Sequence, residues 1–138
     1  MSLDAAALTG VWHLTAYTDV DAAGQTSDGP LGDEPRGLLF YSPRGYMSVS
    51  MMRTRSAADA ENFMGYAGTW RLAGDQVIHE VAVSSHPHLV STRQVRDAVL
   101  ADGVLTLRGT SLLHGRRRQR LLTWRRLVVP HPLTEEDI

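Results

Sequence analysis

Three side chains in this sequence have types that suit proton transfer or the stabilisation of negative charge: His79, Arg96 and Tyr66. Successive side chains of a β-strand point to opposite faces of the sheet. His79 therefore shares a face with three valines, while Glu80 on the other face points to water: Val77, Val81 and Val83. A histidine on an apolar face is either a hydrogen-bonded core residue or a catalyst, and the pattern leaves both interpretations open.

The direction of Arg96 is also open. It shares a face with Ala98 and Leu100, but Asp97 lies on the other face beside two valines, so the alternation is poor. An outward Arg96 would pair with a carboxylate. An inward Arg96 keeps its proton and needs an anion or enolate. In that case His79, Arg96 and Tyr66 form one polar spot in an apolar cavity, and we predict them as the catalytic residues.

Other catalytic chemistry finds little support. The chain has no cysteine, which excludes disulfides, thiolate metal sites and cysteine nucleophiles. His86 and His88 flank Pro87 in a turn-like pattern without a third ligand, so we predict a loop and no metal site. Phosphate-cradling glycine loops, dinucleotide fingerprints and nucleophile elbows are missing from the sequence. We therefore expect no cofactor.

Composition limits the partners. The 138 residues, 43% apolar and 21% charged, predict one globular domain. Fourteen basic residues, all arginine, against fifteen acidic ones give a net charge of −1, which predicts neither nucleic-acid nor membrane binding. The arginines around Trp124 resemble a basic strip for nucleic acid, but the exposed face of a strand that follows a turn at His114-Gly115 explains them more simply. Without cysteines or a leader pattern, a cytoplasmic location is expected.

The elements that must position these side chains are β-strands. Turn residues separate eight β-prone runs: 8–20, 37–41, 46–53, 65–72, 76–84, 92–101, 104–110 and 116–128. Three turns predict tight hairpins, and Asp102-Gly103 gives the strongest signal. Ser56–Met64 predicts one short helix between the third and fourth strands.

Eight strands joined mainly by hairpins predict an all-β, antiparallel, up-and-down barrel, because closure removes exposed sheet edges. A barrel of eight strands can hold one small ligand. Residues 1–129 would form this domain and residues 130–138, with two prolines and an acidic end, a C-terminal tail.

Gly10-Val11-Trp12 enters the first predicted strand, and a late arginine, Arg125 or Arg126, ends the last one. These residues resemble the glycine-x-tryptophan start and the closing arginine of lipocalins, and the chain is similar to the bacterial lipocalin-like domain family. Further likenesses to that family are these residues and motifs: Gly37-x-x-x-Tyr41, Gly45-Tyr46-Met47-Ser48, Tyr66-Ala67-Gly68, His79, Pro87 and Arg96. The resemblance implies a ligand-holding barrel whose arginine lies across the tryptophan, and it supplies no single activity.

The resemblance turns Trp12, Leu14 and Ala16 inward and leaves His13, Thr15 and Tyr17 outside. Alternation in the other strands then predicts a wall of ligand-binding residues, in which flexible methionines suit irregular ligands: Trp12, Leu14, Tyr41, Met47, Val49, Met51, Trp70, Val81 and Ala98.

Two functional hypotheses follow. In the first, the barrel is a cofactor-free cyclase or isomerase that orients a polyketide- or terpenoid-like intermediate, while His79 moves a proton and Arg96 or Tyr66 stabilises negative charge. In the second, it is a non-catalytic carrier or sensor of a small hydrophobic ligand. The sequence leaves open the identity of the ligand, the choice between monomer and homodimer, and which end of the barrel is open.

Overall fold

The sheet of this protein closes on itself. In a computed structural model that describes residues 3–113 and 116–128, β9 pairs with β1 and completes an antiparallel barrel. The strands are β1 (Gly10–Val20), β2 (Thr26–Asp28), β3 (Pro35–Tyr41), β4 (Tyr46–Arg53), β5 (Phe63–Ala73), β6 (Gln76–Ser84), β7 (Arg93–Ala101), β8 (Val104–Leu113) and β9 (Arg116–Arg126). The short β2 pairs with the end of β1, and the other eight strands form the barrel. The predicted fold class is confirmed.

The predicted helix at Ser56–Met64 is wrong. This segment is an irregular connection, and β5 already begins at Phe63. The side chain of Asn62 accepts a hydrogen bond from Ala57 N at 2.9 Å and donates one to Ala57 O at 3.1 Å. Asp59 has a positive φ of 57°. Side-chain bonds to the backbone compete with helical hydrogen bonds, and a left-handed residue interrupts a helix.

The described helical segments are α1 (Ala5–Leu8) and a 3-10 turn at Pro87–Leu89. Neither is long and apolar enough to cross a membrane. The predicted turn at His114-Gly115 and the predicted tail at 130–138 lie outside the described residues.

One end of the barrel is sealed by the start of β1 and the end of β9. The guanidinium carbon of Arg126 lies 4.2 Å from the centre of the Trp12 ring, and Trp12 Nε1 donates to Leu8 O at 2.9 Å. Arg126 also donates to the carbonyls of Thr9, at 2.7 Å, and Ala7. The closing arginine is therefore Arg126. Below we call this region the closed end.

Two irregularities in strand pairing correct the predicted strand phases. On β1 the register shifts between Leu14 and Ala16, opposite β9, so one residue is inserted. Such a bulge reverses which face the following side chains occupy, and Tyr17, predicted outside, is buried. On β6 a second shift follows Val81, and Val83, predicted inside, is 61% exposed.

The second irregularity depends on Gly68 in β5. A Cβ atom at Gly68 would lie 1.8 Å from the carbonyl oxygen of Glu80, so only glycine permits the approach of β5 to β6. The position between Tyr66 and Trp70 on β5 is therefore covered by the backbone of the neighbouring strand. Because the bulge comes after Val81, His79 keeps the interior phase that the alternation predicted.

Candidate functional site

His79 lies inside the barrel between two tyrosines. Its Nε2 is 2.6 Å from Tyr41 Oη and its Nδ1 is 2.6 Å from Tyr66 Oη. The imidazole is 2% exposed. β3, β5 and β6 bring these residues together, because each side chain points inward from its strand. The three residues form a continuous hydrogen-bonded chain, which we call the Tyr–His–Tyr chain.

Burial keeps every member of this chain neutral. Loss of hydration, with a smaller effect of the positive charge on Arg96, lowers the pKa of His79 to about 3. Loss of hydration also raises the pKa of Tyr66 to about 12 and that of Tyr41 well above its usual value of 10. At neutral pH the Tyr–His–Tyr chain therefore contains an uncharged imidazole and two protonated phenols.

We assign the direction of the protons from the surroundings of the two phenols, because each bonds only to His79 among the described residues but Tyr66 also borders a cavity and Tyr41 does not. Among the described residues, Tyr41 Oη contacts His79 Nε2 and no other polar atom within hydrogen-bonding distance. A buried hydroxyl that failed to donate would lose a hydrogen bond, so we assign Tyr41 as the donor to Nε2. The neutral imidazole then carries its hydrogen on Nδ1 and donates it to Tyr66. Tyr66 accepts this bond, and its own proton remains to be donated elsewhere.

Tyr66 borders a cavity of about 260 Å³ in the barrel interior. The cavity reaches from the strand ends opposite the closed end, a region that we call the open end, down to Leu39 and Trp124. The residues of its wall are Tyr17, Leu39, Val49, Met51, Met64, Gly65, Tyr66, His79, His86, His88, Leu89, Gln94, Arg96, Leu107, Gly109, Thr110, Arg120, Leu122 and Trp124. The cavity therefore combines aliphatic walls with a few polar groups, as in small-molecule sites.

Arg96 faces this cavity. Its Nη2 donates to Gln94 Oε1 at 3.1 Å and its Nη1 to Val95 O at 2.9 Å. Its guanidinium lies over Gly109, where an added Cβ would be 2.8 Å from Nε. The structure thus brings the three predicted catalytic residues, His79, Arg96 and Tyr66, to one cavity. Their catalytic role stays a prediction.

A second arginine of the wall, Arg120, is held by an acidic neighbour. Its Nε lies 3.4 Å from Asp19 Oδ1, and its Nη1 donates to Tyr17 Oη at 3.4 Å. Tyr17 and Asp19 are both buried. Their inward position follows from the β1 bulge, which alternation alone does not reveal.

The mouth of the cavity carries a contact between two connections. His86 Nε2 lies 2.7 Å from Glu61 Oε1, and His86 Nδ1 lies 2.8 Å from Ser85 Oγ. Glu61 belongs to the segment before β5, and His86 precedes the 3-10 turn. The contact with Glu61 links the two segments, and His86 and His88 lie in a connection, as predicted.

The predicted ligand-binding residues fall into two groups. Val49 and Met51 line the cavity. The others are buried, but they are not part of its wall as the described residues define it: Trp12, Leu14, Tyr41, Met47, Trp70, Val81 and Ala98. Tyr41 packs on Trp70 with ring centres 4.4 Å apart. Alternation predicts which side of a strand a residue faces. Whether an inward residue lines the cavity or packs in the core depends on its position along the barrel axis.

The sequence interpretation missed Trp124, Leu122 and Leu107. On β8 the alternation would have found Leu107, which shares a face with Leu105. On β9 the adjacent Leu121 and Leu122 leave the phase of the strand open. A larger hollow of about 380 Å³ lies between outward side chains such as Leu38, Met52 and Phe63. It is a surface groove, and His79 and Tyr66 are not among its lining residues in the described part of the chain.

Comparison with known families agrees with this architecture. The family profile described as a lipocalin-like domain matches residues 9–58 and 53–127. A search of curated proteins gives no match. A lipocalin-like barrel with an apolar interior is suited to binding a small hydrophobic ligand. The two matched segments cover most of the chain from β1 to β9, and the protein therefore belongs to the lipocalin-like domain family.

Proposed function

We propose that the barrel is a cofactor-free cyclase or isomerase acting on a small natural-product intermediate, polyketide- or terpenoid-like, that carries a carbonyl group. The observation that supports this proposal is the Tyr–His–Tyr chain, whose last proton, on Tyr66, remains available at an apolar cavity. The cavity volume of about 260 Å³ is slightly below the range of about 300–1,000 Å³ found for small-molecule sites. A compact substrate is therefore expected.

The pKa values favour polarisation over proton transfer. Full transfer from Tyr66 to a substrate would leave a charged phenolate on Tyr66 or, after relay through His79, on the deeply buried Tyr41. Both phenols have raised pKa values, so this charge is unfavourable. Tyr66 instead donates a hydrogen bond to the carbonyl oxygen, which stabilises negative charge as it develops there. His79 acts through Tyr66 by holding the phenol in a donating orientation.

A cycloaddition suits this site because this kind of cyclisation exchanges no proton with the protein. In the addition of a diene to an enone within one molecule, two carbon–carbon bonds form and three π bonds are replaced by one. The cavity wall around Val49, Met51 and Leu122 holds the carbon chain of the substrate in a folded shape. Intramolecular orientation can contribute about 7–11 kcal/mol in ideal cases. Polarisation of the enone by Tyr66 lowers the barrier further.

A second function, a carrier or sensor of a small hydrophobic ligand, is favoured by a different observation. Both nitrogens of His79 are occupied by tyrosines, so neither is free to accept a proton from a ligand. A site without a free base can bind and release its ligand unchanged.

We further propose a cytoplasmic protein that acts as a monomer or homodimer, with a small molecule as its partner in place of nucleic acid or membrane. The absence of cysteine and the net charge of −1 support this setting.

A linear trienone tests the catalytic proposal. The probe carries a conjugated enone and a diene joined by a four-carbon tether, and the loss of diene absorbance reports cyclisation. We expect the protein to accelerate this reaction over buffer. Tyr66→Phe should lower kcat by roughly 10²-fold, because it removes one donor to the developing oxyanion. His79→Gln should lower kcat less and leave KM nearly unchanged.

Tyr46→Phe is the matched control, because Tyr46 is 66% exposed on β4. It should retain the rate of the unmodified protein. Equal rates for Tyr66→Phe and the unmodified protein would refute the role of Tyr66. Binding of the probe without any acceleration would favour the carrier.

A further inference from the structure

Three groups on the described part of the cavity wall have an N–H or O–H that is left to donate. Tyr66 has a proton left after it accepts from His79. Arg96 has five N–H groups, of which two are used for Gln94 and Val95. The indole of Trp124 is the third case: it is 1% exposed, and its Nε1 has no hydrogen-bond partner among the described residues.

The unpaired indole is informative because buried N–H groups nearly always have a partner. Trp124 lines the same cavity as Tyr66 and Arg96. The Trp12 indole at the closed end donates to Leu8 O and the Trp70 indole to Ser42 O, so the other two tryptophans are satisfied within the protein. Trp124 thus differs from both, because it borders the cavity and its N–H has no acceptor among the described residues.

The charge on the described part of the cavity wall that lacks a charged partner is positive. Arg120 is paired with Asp19, and His86 contacts Glu61. The described hydrogen-bond partners of Arg96 are a side-chain amide and a backbone carbonyl, both neutral. A guanidinium that is half-buried beside an apolar cavity and held by neutral acceptors attracts an anion.

From these donors and this charge we infer that the ligand is an apolar molecule with an oxyanion, a carboxylate or an enolate, which pairs with Arg96 and accepts a hydrogen bond from Trp124, while the proton of Tyr66 is donated to the enolate oxygen or, in a substrate with a carboxylate, to the separate carbonyl group. The aliphatic wall takes the apolar body. The inference rests on the proposed use of the barrel interior as the binding site, and it adds the acidic character of the substrate.

Gly109 supports a built position for the cation. An added Cβ there would lie within 2.9 Å of Arg96 Nε, Cδ and Cζ. The missing side chain leaves the space in which the guanidinium lies along the wall. Gly109→Ala should therefore move Arg96 while leaving the remaining donors in place.

The test uses three compounds with the same apolar body: 3-phenylpropanoate, 3-phenylpropanamide and 3-phenylpropylamine. Calorimetry with the full chain should show the carboxylate binding about tenfold more tightly than the amide and the amine. In ¹H–¹⁵N spectra, the indole signal that is missing in Trp124→Phe should shift on addition of the carboxylate. Arg96→Gln and Gly109→Ala should reduce the preference for the carboxylate toward one.

Arg93→Gln is the matched control, since Arg93 lies on the same strand but pairs with Glu80 at the surface, 3.2 Å away. It should keep the full preference. Equal affinities for carboxylate and amide, an unshifted Trp124 signal, or the same loss in Arg93→Gln and Arg96→Gln would overturn the inference, as would the absence of binding by all three compounds. If the neutral trienone is still cyclised in any of these cases, the proposed function stands and only the acidic substrate is rejected.

Discussion

The two ends of the barrel satisfy their polar groups in different ways. At the closed end, Trp12, Arg126 and the carbonyls around α1 bond to one another, and Leu8 and Leu105 are fully buried. Around the cavity, which reaches from the open end as far as Trp124 on β9, Trp124 Nε1 is buried without a described partner, and Arg96 is held by neutral acceptors. At the closed end these donors are bonded within the protein, whereas donors around the cavity lack a described partner.

This difference indicates how a small barrel combines stability with binding. Tight packing at the closed end contributes most where no ligand enters. It offsets the free energy lost by leaving donors unpaired around the cavity, as functional sites commonly require. The Tyr–His–Tyr chain lies between the two regions, with Tyr41 in the core and Tyr66 at the cavity.

The same leucine-to-alanine substitution at the closed end and at the cavity should test most clearly whether the two regions are packed differently. Leu105 is 0% exposed at the closed end, while Leu122 lines the cavity. Leu105→Ala should lower the free energy of unfolding by about 3 kcal/mol, because it creates a void among packed side chains. Leu122→Ala should lower it by roughly half as much, since part of that side chain already borders empty space. Urea unfolding measures both, and equal losses would show that the ends are packed alike.

Acid should destabilise the protein through His79. The folded pKa is about 3, whereas an unfolded imidazole has a pKa near 6.5, so below pH 6.5 the unfolded state binds the proton first. Stability from this group is present above pH 6.5 and is lost as the pH falls toward 3. Between pH 7 and 5 the loss should be about 2 kcal/mol.

His79→Gln provides the control for this acid effect, because it removes the titrating group while the other five histidines remain. Its free energy of unfolding should fall less between pH 7 and 5, when urea melts are compared with those of the unmodified protein. Identical pH profiles would mean that the imidazole is hydrated in the folded state.

The smallest effect is expected at the mouth of the cavity. Glu61→Gln weakens the contact with His86, which is partly exposed, so the free energy of unfolding should change by less than about 1 kcal/mol. Dissociation of 3-phenylpropanoate should nevertheless become faster, because the two connections are no longer joined. Stopped-flow displacement measures this rate. Glu80→Gln, on the outer face, should leave it unchanged, and equal rates in all three proteins would exclude a role for the contact in ligand release.

The strands and most of their bounds could be predicted from the sequence, because alternation and turn chemistry are local properties. The predicted runs 46–53 and 76–84 coincide with β4 and β6. The interior direction of His79 follows from the same alternation. Hairpin turns such as Asp102-Gly103 set the antiparallel order, and the glycine-x-tryptophan start indicated the family.

Only the tertiary structure decided what depends on distant residues. Tyr41 and His79 are 38 positions apart, and their hydrogen bond exists because closure of the barrel brings β3 and β6 to one interior. Bulges on β1 and β6, which form through pairing with neighbouring strands, reverse the faces of the side chains that follow them. Tyr17 is therefore buried and Val83 exposed, the opposite of what alternation predicted. The segment at 54–62 is likewise irregular where a helix was predicted, because side-chain hydrogen bonds and a left-handed residue are incompatible with helical geometry. Local patterns specify strands, whereas closure determines which side chains meet and where the cavity lies.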